Sequence, residues 1–234
     1  MLPDAVLRYA DHDEAVVDLH LPDGQTDRVV VLIHGGFWKA EYDRRHTRPM
    51  ARALADLGLV VATPEYRRVG NGGGWPVTAD DVLLAVRRLP ELLGRVGNGP
   101  APLVLTGHSA GGHLALWLAT TDLPVQRVVA LAPVCDLSEA TRLGLGDGAT
   151  PAFLDGADPA PADPMVLFTN RPDAEVTVIH GRDDEDVPVT LSRGFTSAHP
   201  WVRLHELPGV GHMDLIEPGS SAWPAVVEEL TAES

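Results

Sequence analysis

Short runs along the chain are apolar at almost every position: Val29 to Ile33, Leu59 to Thr63, Leu103 to Gly107, Val128 to Val134 and Glu175 to Ile179. Runs of this length without alternation predict strands buried on both faces of a sheet. Residues 5–9 and 15–21, followed by the turn signal Pro22-Asp23-Gly24, predict two antiparallel edge strands, and Val202 to Leu207 predicts a last strand. Between these runs the apolar positions return every three or four residues. Met50, Ala53, Leu54 and Leu57 mark a helix within 44–58 that stops at Gly58. A second helix covers 78–93, where Thr78 and Asp81 have the form of a capping box. Ala110, Leu114, Trp117 and Leu118 mark a third, and 189–198 and 222–230 predict two more. Strand and helix alternate from residue 29 onward. This predicts a single α/β domain over 1–234: a mostly parallel sheet of about eight strands, helices on both faces and right-handed crossovers. Leu137 to Asp173 breaks the pattern. It is rich in Gly, Pro and Asp and reads as a short, irregular, lid-like insertion.

Composition narrows the classes. The 234 residues are enough for one large core. A formal net charge of −15 argues against nucleic acid and against anionic membrane surfaces. No apolar run reaches the length of a membrane span, and Met1 to Asp13 has no apolar signal core. The single cysteine, Cys135, allows no internal disulfide and reads as a buried small hydrophobe. The expectation is a cytoplasmic location; the sequence carries no signal for the oligomeric state.

In an open parallel sheet, chemistry collects beyond the C-terminal ends of the strands. After strand 103–107 stands Gly107-His108-Ser109-Ala110-Gly111, a G-x-S-x-G sequence between a strand and a helix. Chance would supply about 0.07 such pentapeptides in a chain with 23 Gly and 7 Ser, so its context carries the weight. The sharp turn puts the Ser109 hydroxyl at its tip and needs glycine at 107 and 111. Strand 175–179 leads into His180-Gly181-Arg182-Asp183-Asp184-Glu185-Asp186-Val187-Pro188, and strand 202–207 into Gly211-His212-Met213. Ser, acid and His in that order fit a nucleophile, the residue that orients the base, and the base itself. His212 would take the serine proton near neutral pH; an unperturbed imidazole titrates near about 6.5. Spacing alone leaves Asp183, Asp184, Glu185, Asp186 and Asp136 open as the acid. After strand 29–33, the pair Gly35-Gly36 lets backbone approach a substrate. The N–H groups of Gly36, Phe37 and Ala110 would form the oxyanion hole. His113, one helical turn past Ser109, reads as a packed, hydrogen-bonded helix residue. There is no H-E-x-x-H and no other metal-ligand spacing, so no metal or cofactor is implied.

His34-Gly35-Gly36-Phe37-Trp38, Glu65-Tyr66-Arg67-Arg68, the 107–115 segment, the 180–188 segment and Gly211-His212-Met213-Asp214 together resemble the small α/β-hydrolase esterases, a group that includes arylformamidases. The resemblance spans 34–214 and implies an α/β-hydrolase fold. It places the acid of the H-G-x-x-D-x-x-V-P pattern on Asp184, with Ser109 and His212 as partners. It also implies hydrolysis of small carboxylic esters through an acyl-enzyme, with arylformamidase as the alternative. An aminopeptidase of related type and a non-catalytic binding protein on the same fold fit less well: the chain is short for an added propeller, and all three triad positions are filled. Lacking a large helical cap, the site is expected to be shallow and walled by Phe37, Trp38, Trp75 and Met213, aromatic positions that could equally serve as core.

Overall fold

A computed structural model describes residues 1–24, 26–99 and 101–232. Eight strands form one sheet: β1 (Ala5–Arg8), β2 (Val16–His20), β3 (Val29–Ile33), β4 (Val60–Pro64), β5 (Leu103–His108), β6 (Val125–Leu131), β7 (Glu175–Gly181) and β8 (Arg203–Leu207). Their order across the sheet is β1-β2-β4-β3-β5-β6-β7-β8. β1–β2 and β2–β4 are antiparallel, and every later pairing is parallel. The helices are α1 (Arg48–Asp56), α2 (Val77–Gly94), α3 (Ala110–Leu118), α4 (Leu137–Leu143), α5 (Leu145–Leu154), α6 (Pro164–Leu167), α7 (Thr190–Ala198) and α8 (Trp223–Thr231). No helix of the described residues is long and apolar enough to cross a membrane.

The continuous apolar runs become central strands because their alternate residues feed two separate cores. Val29, Val31 and Ile33 of β3 point to one face with residues of α2, α3 and α7, while Val30 and Leu32 point to the other with Met50 and Leu54 of α1 and Val226 and Leu230 of α8. β6 divides likewise, Val128 and Ala130 against Val129 and Leu131. Side chains alternate across a strand, so a strand covered on both sides is mostly apolar on each.

Two elements and one cap differ from expectation: Pro76 rather than Thr78 stands at the N-cap of α2, and Asp81 takes Arg67 instead of closing a capping box. The strand expected over 128–134 lies at Val125–Leu131, since the chain leaves the sheet at Ala132, whose φ is +43°. The segment 137–173 holds three short helices separated by irregular stretches, and α5 itself is broken by left-handed backbone at Gly146, Asp147 and Gly148. Asp136, Gly144 and Asp163 serve as caps. Asp136 accepts from the Glu139 N–H at 2.8 Å to start α4, and Gly144 ends it in the left-handed region (φ 67°). Asp163 accepts from Met165 N, and Pro164 opens α6. Capping residues ahead of very short helices look like loop composition in sequence. The segment is also tied down. His113 donates from Nε2 to Ala162 O at 2.8 Å, Trp117 Nε1 donates to Pro161 O at 3.1 Å, and Trp75 N donates to Phe153 O at 2.7 Å. His113 is thus the packed helix residue expected, and burial lowers its pKa to about 4. Cys135 is buried as expected, which pushes its thiol above the usual range.

Candidate active site

The turn between β5 and α3 carries Ser109 at φ 57°, ψ −120°, a conformation that residues with a Cβ rarely adopt. Its backbone is held on both sides. Ser109 N donates to Leu131 O at 2.8 Å, and Ser109 O accepts from His113 N at 3.1 Å. The two glycines are there for close approach. A Cβ at Gly107 would lie 2.1 Å from Gly111 O, and one at Gly111 would lie 2.1 Å from Ile33 O.

Of the acids after β7, Asp183, Glu185 and Asp186 are exposed, and Asp184 alone is buried. Asp184 Oδ2 lies 2.7 Å from His212 Nδ1. Its Oδ1 accepts from Asp186 N at 3.0 Å and Val187 N at 2.8 Å. Burial opposes its charge, but hydrogen bonds from His180, His212 and Val187 N outweigh burial and hold the carboxyl well below the usual carboxylate range. Asp136, the remaining acid, is spent on capping α4.

His212 sits in the loop after β8, ahead of a 3-10 turn over Met213–Ile216. His108, which ends β5 next to Ser109, donates from Nε2 to His212 O at 3.0 Å, and the two rings are 4.3 Å apart. The structure therefore joins His212 directly to Asp184 and, through His108, to the serine turn. The Ser109 hydroxyl itself makes no hydrogen bond among the described residues.

The loop after β3 lies against this turn. A Cβ on Gly35 would be 2.6 Å from His108 O. Gly36, Phe37 and Trp38 all have positive φ (108°, 51° and 55°). Among the described residues, the N–H groups of Gly36, Phe37 and Ala110 donate to no protein acceptor. The expected pocket wall needs one correction. Trp38 is fully buried, stacked on Phe153 of α5 at 4.5 Å, because its left-handed backbone turns the ring inward. Trp75 is half-buried and packs edge-on against Trp117 and Phe153. Phe37 is half-buried beside Gly146 of α5, and Met213 is 54% exposed.

A buried ionic cluster behind the loop carries no role in the sequence reading. Glu65, just past β4, takes His34 Nε2 at 2.8 Å and Arg68 at 2.9 Å on Oε1, and Arg44 N at 3.0 Å and Arg44 NH1 at 3.3 Å on Oε2. Tyr66 stacks on His34 at 4.3 Å and donates to His34 O at 2.7 Å. Burial raises the cost of the Glu65 charge, but His34, Arg68 and the Arg44 N–H outweigh it and hold its pKa at about 2. Glu65-Tyr66-Arg67-Arg68 stands at a strand end, which was the available signal; nothing in the sequence shows its partners.

One set of three ligand-type side chains, Asp184, Asp186 and His212, has its atoms within 4.8 Å of one another among the described residues. Two of these, Asp184 and His212, are already joined by the 2.7 Å hydrogen bond.

The chain is similar to the probable carboxylic ester hydrolase LipM of Mycobacterium tuberculosis (30% identity, covering 89% of this chain and 54% of that protein). It is also similar to esterase LipQ of the same organism (24%, 82% and 51%). The chain spans about half the length of these curated relatives. Among solved structures, esterase B from Lactobacillus rhamnosis superposes with a TM-score of 0.79 at 22% identity, covering 97% of this chain and 84% of that one. A truncated carbohydrate esterase from gut microbiota gives 0.81 at 18%, covering 97% and 94%. The fold is that of the α/β-hydrolases. The BD-FAE family profile matches residues 17–140, more than half of the sequence, and the chain belongs to that family.

Proposed function

We propose that this chain hydrolyses carboxylic esters of small molecules by a serine mechanism. The observation that carries the reading is the buried Asp184 bound to His212 at 2.7 Å, with His212 linked through His108 to the turn that holds Ser109 at positive φ between strand and helix. The named ester hydrolases among its relatives support it. Ser109 Oγ attacks the carbonyl carbon while its proton passes to His212 Nε2, and Asp184 stabilises the imidazolium through Nδ1–H. The carbonyl oxygen, now an anion, receives the N–H groups of Gly36, Phe37 and Ala110. Collapse expels the alcohol, which takes the proton from His212 and leaves an acyl-serine. Water repeats the sequence from the other side, releasing the acid and restoring the serine. Catalytic hydrogen bonds commonly tighten only around substrate, so the unbonded Ser109 hydroxyl is compatible with this route.

The test is labelling with a fluorophosphonate, read by mass spectrometry, alongside turnover of p-nitrophenyl acetate and N-formylkynurenine. The expected result is one adduct on Ser109, ester turnover unaffected by chelators, and little or no formamide cleavage. Protein that is folded, unlabelled and inert toward the ester would overturn the reading. Preferred cleavage of N-formylkynurenine would move the chain to the formamidase alternative.

A further inference from the structure

His180, the next-to-last residue of β7, plays no part in the mechanism above, yet it touches the acid. It is fully buried. Its Nε2 lies 2.8 Å from Val187 O and 3.3 Å from Asp184 Oδ2, the same oxygen that binds His212. Both are acceptors, so Nε2 carries a hydrogen and donates. Its Nδ1 lies 2.7 Å from Ser192 Oγ, on α7. A neutral ring in this setting has one tautomer: Ser192 donates to Nδ1, and Nε2–H forks between the carbonyl and the carboxylate. Val187 is held twice, since its N–H donates to Asp184 Oδ1 at 2.8 Å while its carbonyl accepts from His180. The ring thus closes the 184–187 turn from inside the sheet and occupies part of the Oδ2 charge.

Resting on the proposed triad, we infer that His180 is a positioning residue for Asp184: it fixes the carboxylate's orientation and shares Oδ2 with His212. Two consequences follow. Without His180 the carboxylate is free to turn, which misaligns the base, and small misplacements of a catalytic group cost large factors in rate. Without the second donor, the whole Oδ2 charge falls to His212 and favours its imidazolium, so the acid limb of the kcat/KM profile moves up. The other titratable groups around His212 are Asp186 on the same loop, His108 at the end of β5 and Asp214 on its own turn; Asp214 is held by Gly211 N at 2.7 Å. None of these is altered by changing residue 180.

The experiment compares His180→Phe with His180→Gln, whose amide keeps an N–H donor, in kcat, KM and pH profile. His180→Phe is expected to lose about tenfold or more in kcat with little change in KM. Its acid limb should move to higher pH, and His180→Gln should recover most of both. A folded His180→Phe with wild-type kcat and acid limb would overturn the inference. So would equal losses in both variants with the acid limb unmoved, which would mark a purely structural role. If His180→Phe does not fold, nitrogen-15 NMR of the native protein decides. The Nε2–H tautomer with a proton protected from exchange is expected at His180, and the Nδ1–H tautomer would overturn the inference. Failure of the underlying reading looks different: Ser109→Ala would then keep its turnover, whereas failure here leaves Ser109→Ala inactive and His180→Phe unimpaired.

Discussion

Ser109→Gly is expected to give a protein that is more stable than wild type and has lost ester turnover by on the order of 10⁴-fold or more. The two effects share a cause. At φ 57° and ψ −120°, the serine Cβ is held where only glycine rests without strain, a conformation that costs about 1–3 kcal/mol. Removing the Cβ recovers that energy, offset by the roughly 0.5–1 kcal/mol of extra chain entropy that glycine loses on folding. The net gain should be about 1 kcal/mol, visible as a higher urea midpoint at unchanged slope. Ser109→Ala separates the terms: it loses the nucleophile but keeps the Cβ, so it should be equally inactive with no such gain. Turnover retained by either variant would remove Ser109 from the mechanism. Equal stability of the Gly and Ala forms would show that the turn stores no strain.

That strain was readable in advance only as spacing. Gly107 and Gly111 around Ser109, between an apolar run and a helical pattern, announced a tight turn because few other residues fit against Gly111 O and Ile33 O. The sheet was legible for a similar reason: β3, β4, β6 and β7 are apolar on both faces, and that pattern has few other outcomes. Legibility ended where a residue's role depends on distant partners. Asp183, Asp184, Glu185 and Asp186 are equivalent by composition; Asp184 differs because the fold buries it beneath His212 and His180. By position Trp38 fits a pocket wall or the core equally well, and only its stacking on Phe153, set by the tertiary fold, assigns it to the core. In 137–173 the caps outweighed the short helices they serve. Within this segment α5 packs against Phe37 and Trp38, on the loop that follows β3.

Glu65 lies outside the proposed triad, yet its loss should cost about 3–5 kcal/mol in stability. It is buried, and His34, Arg44 and Arg68 all point at it. Glu65→Gln keeps the shape but turns an anion facing these donors into a neutral amide, leaving Arg44 and Arg68 in the interior without this partner. Breaking a buried ion pair from one side costs about 3–5 kcal/mol. Proton linkage gives a similar size. A carboxyl that titrates near 4.5 unfolded and at about 2 folded contributes roughly 3 kcal/mol at neutral pH. The sign follows from the lowered pKa. The folded state holds fewer protons than the unfolded chain between these two values, so the stabilisation is complete above 4.5 and disappears as pH falls toward 2. Urea denaturation should therefore show Glu65→Gln well below wild type at pH 7, with the gap narrowing once the pH passes under 4.5. Other acid-sensitive groups, such as His113 with its pKa of about 4, are present in both proteins and cancel in the difference. A gap that is absent at pH 7, or that stays constant into acid, would mean that the Glu65 charge does not hold this cluster together. Because Glu65 grips His34, the residue before Gly35-Gly36, the same substitution should lower kcat more than it raises KM. That split would show the cluster acting on the oxyanion loop as well as on the fold.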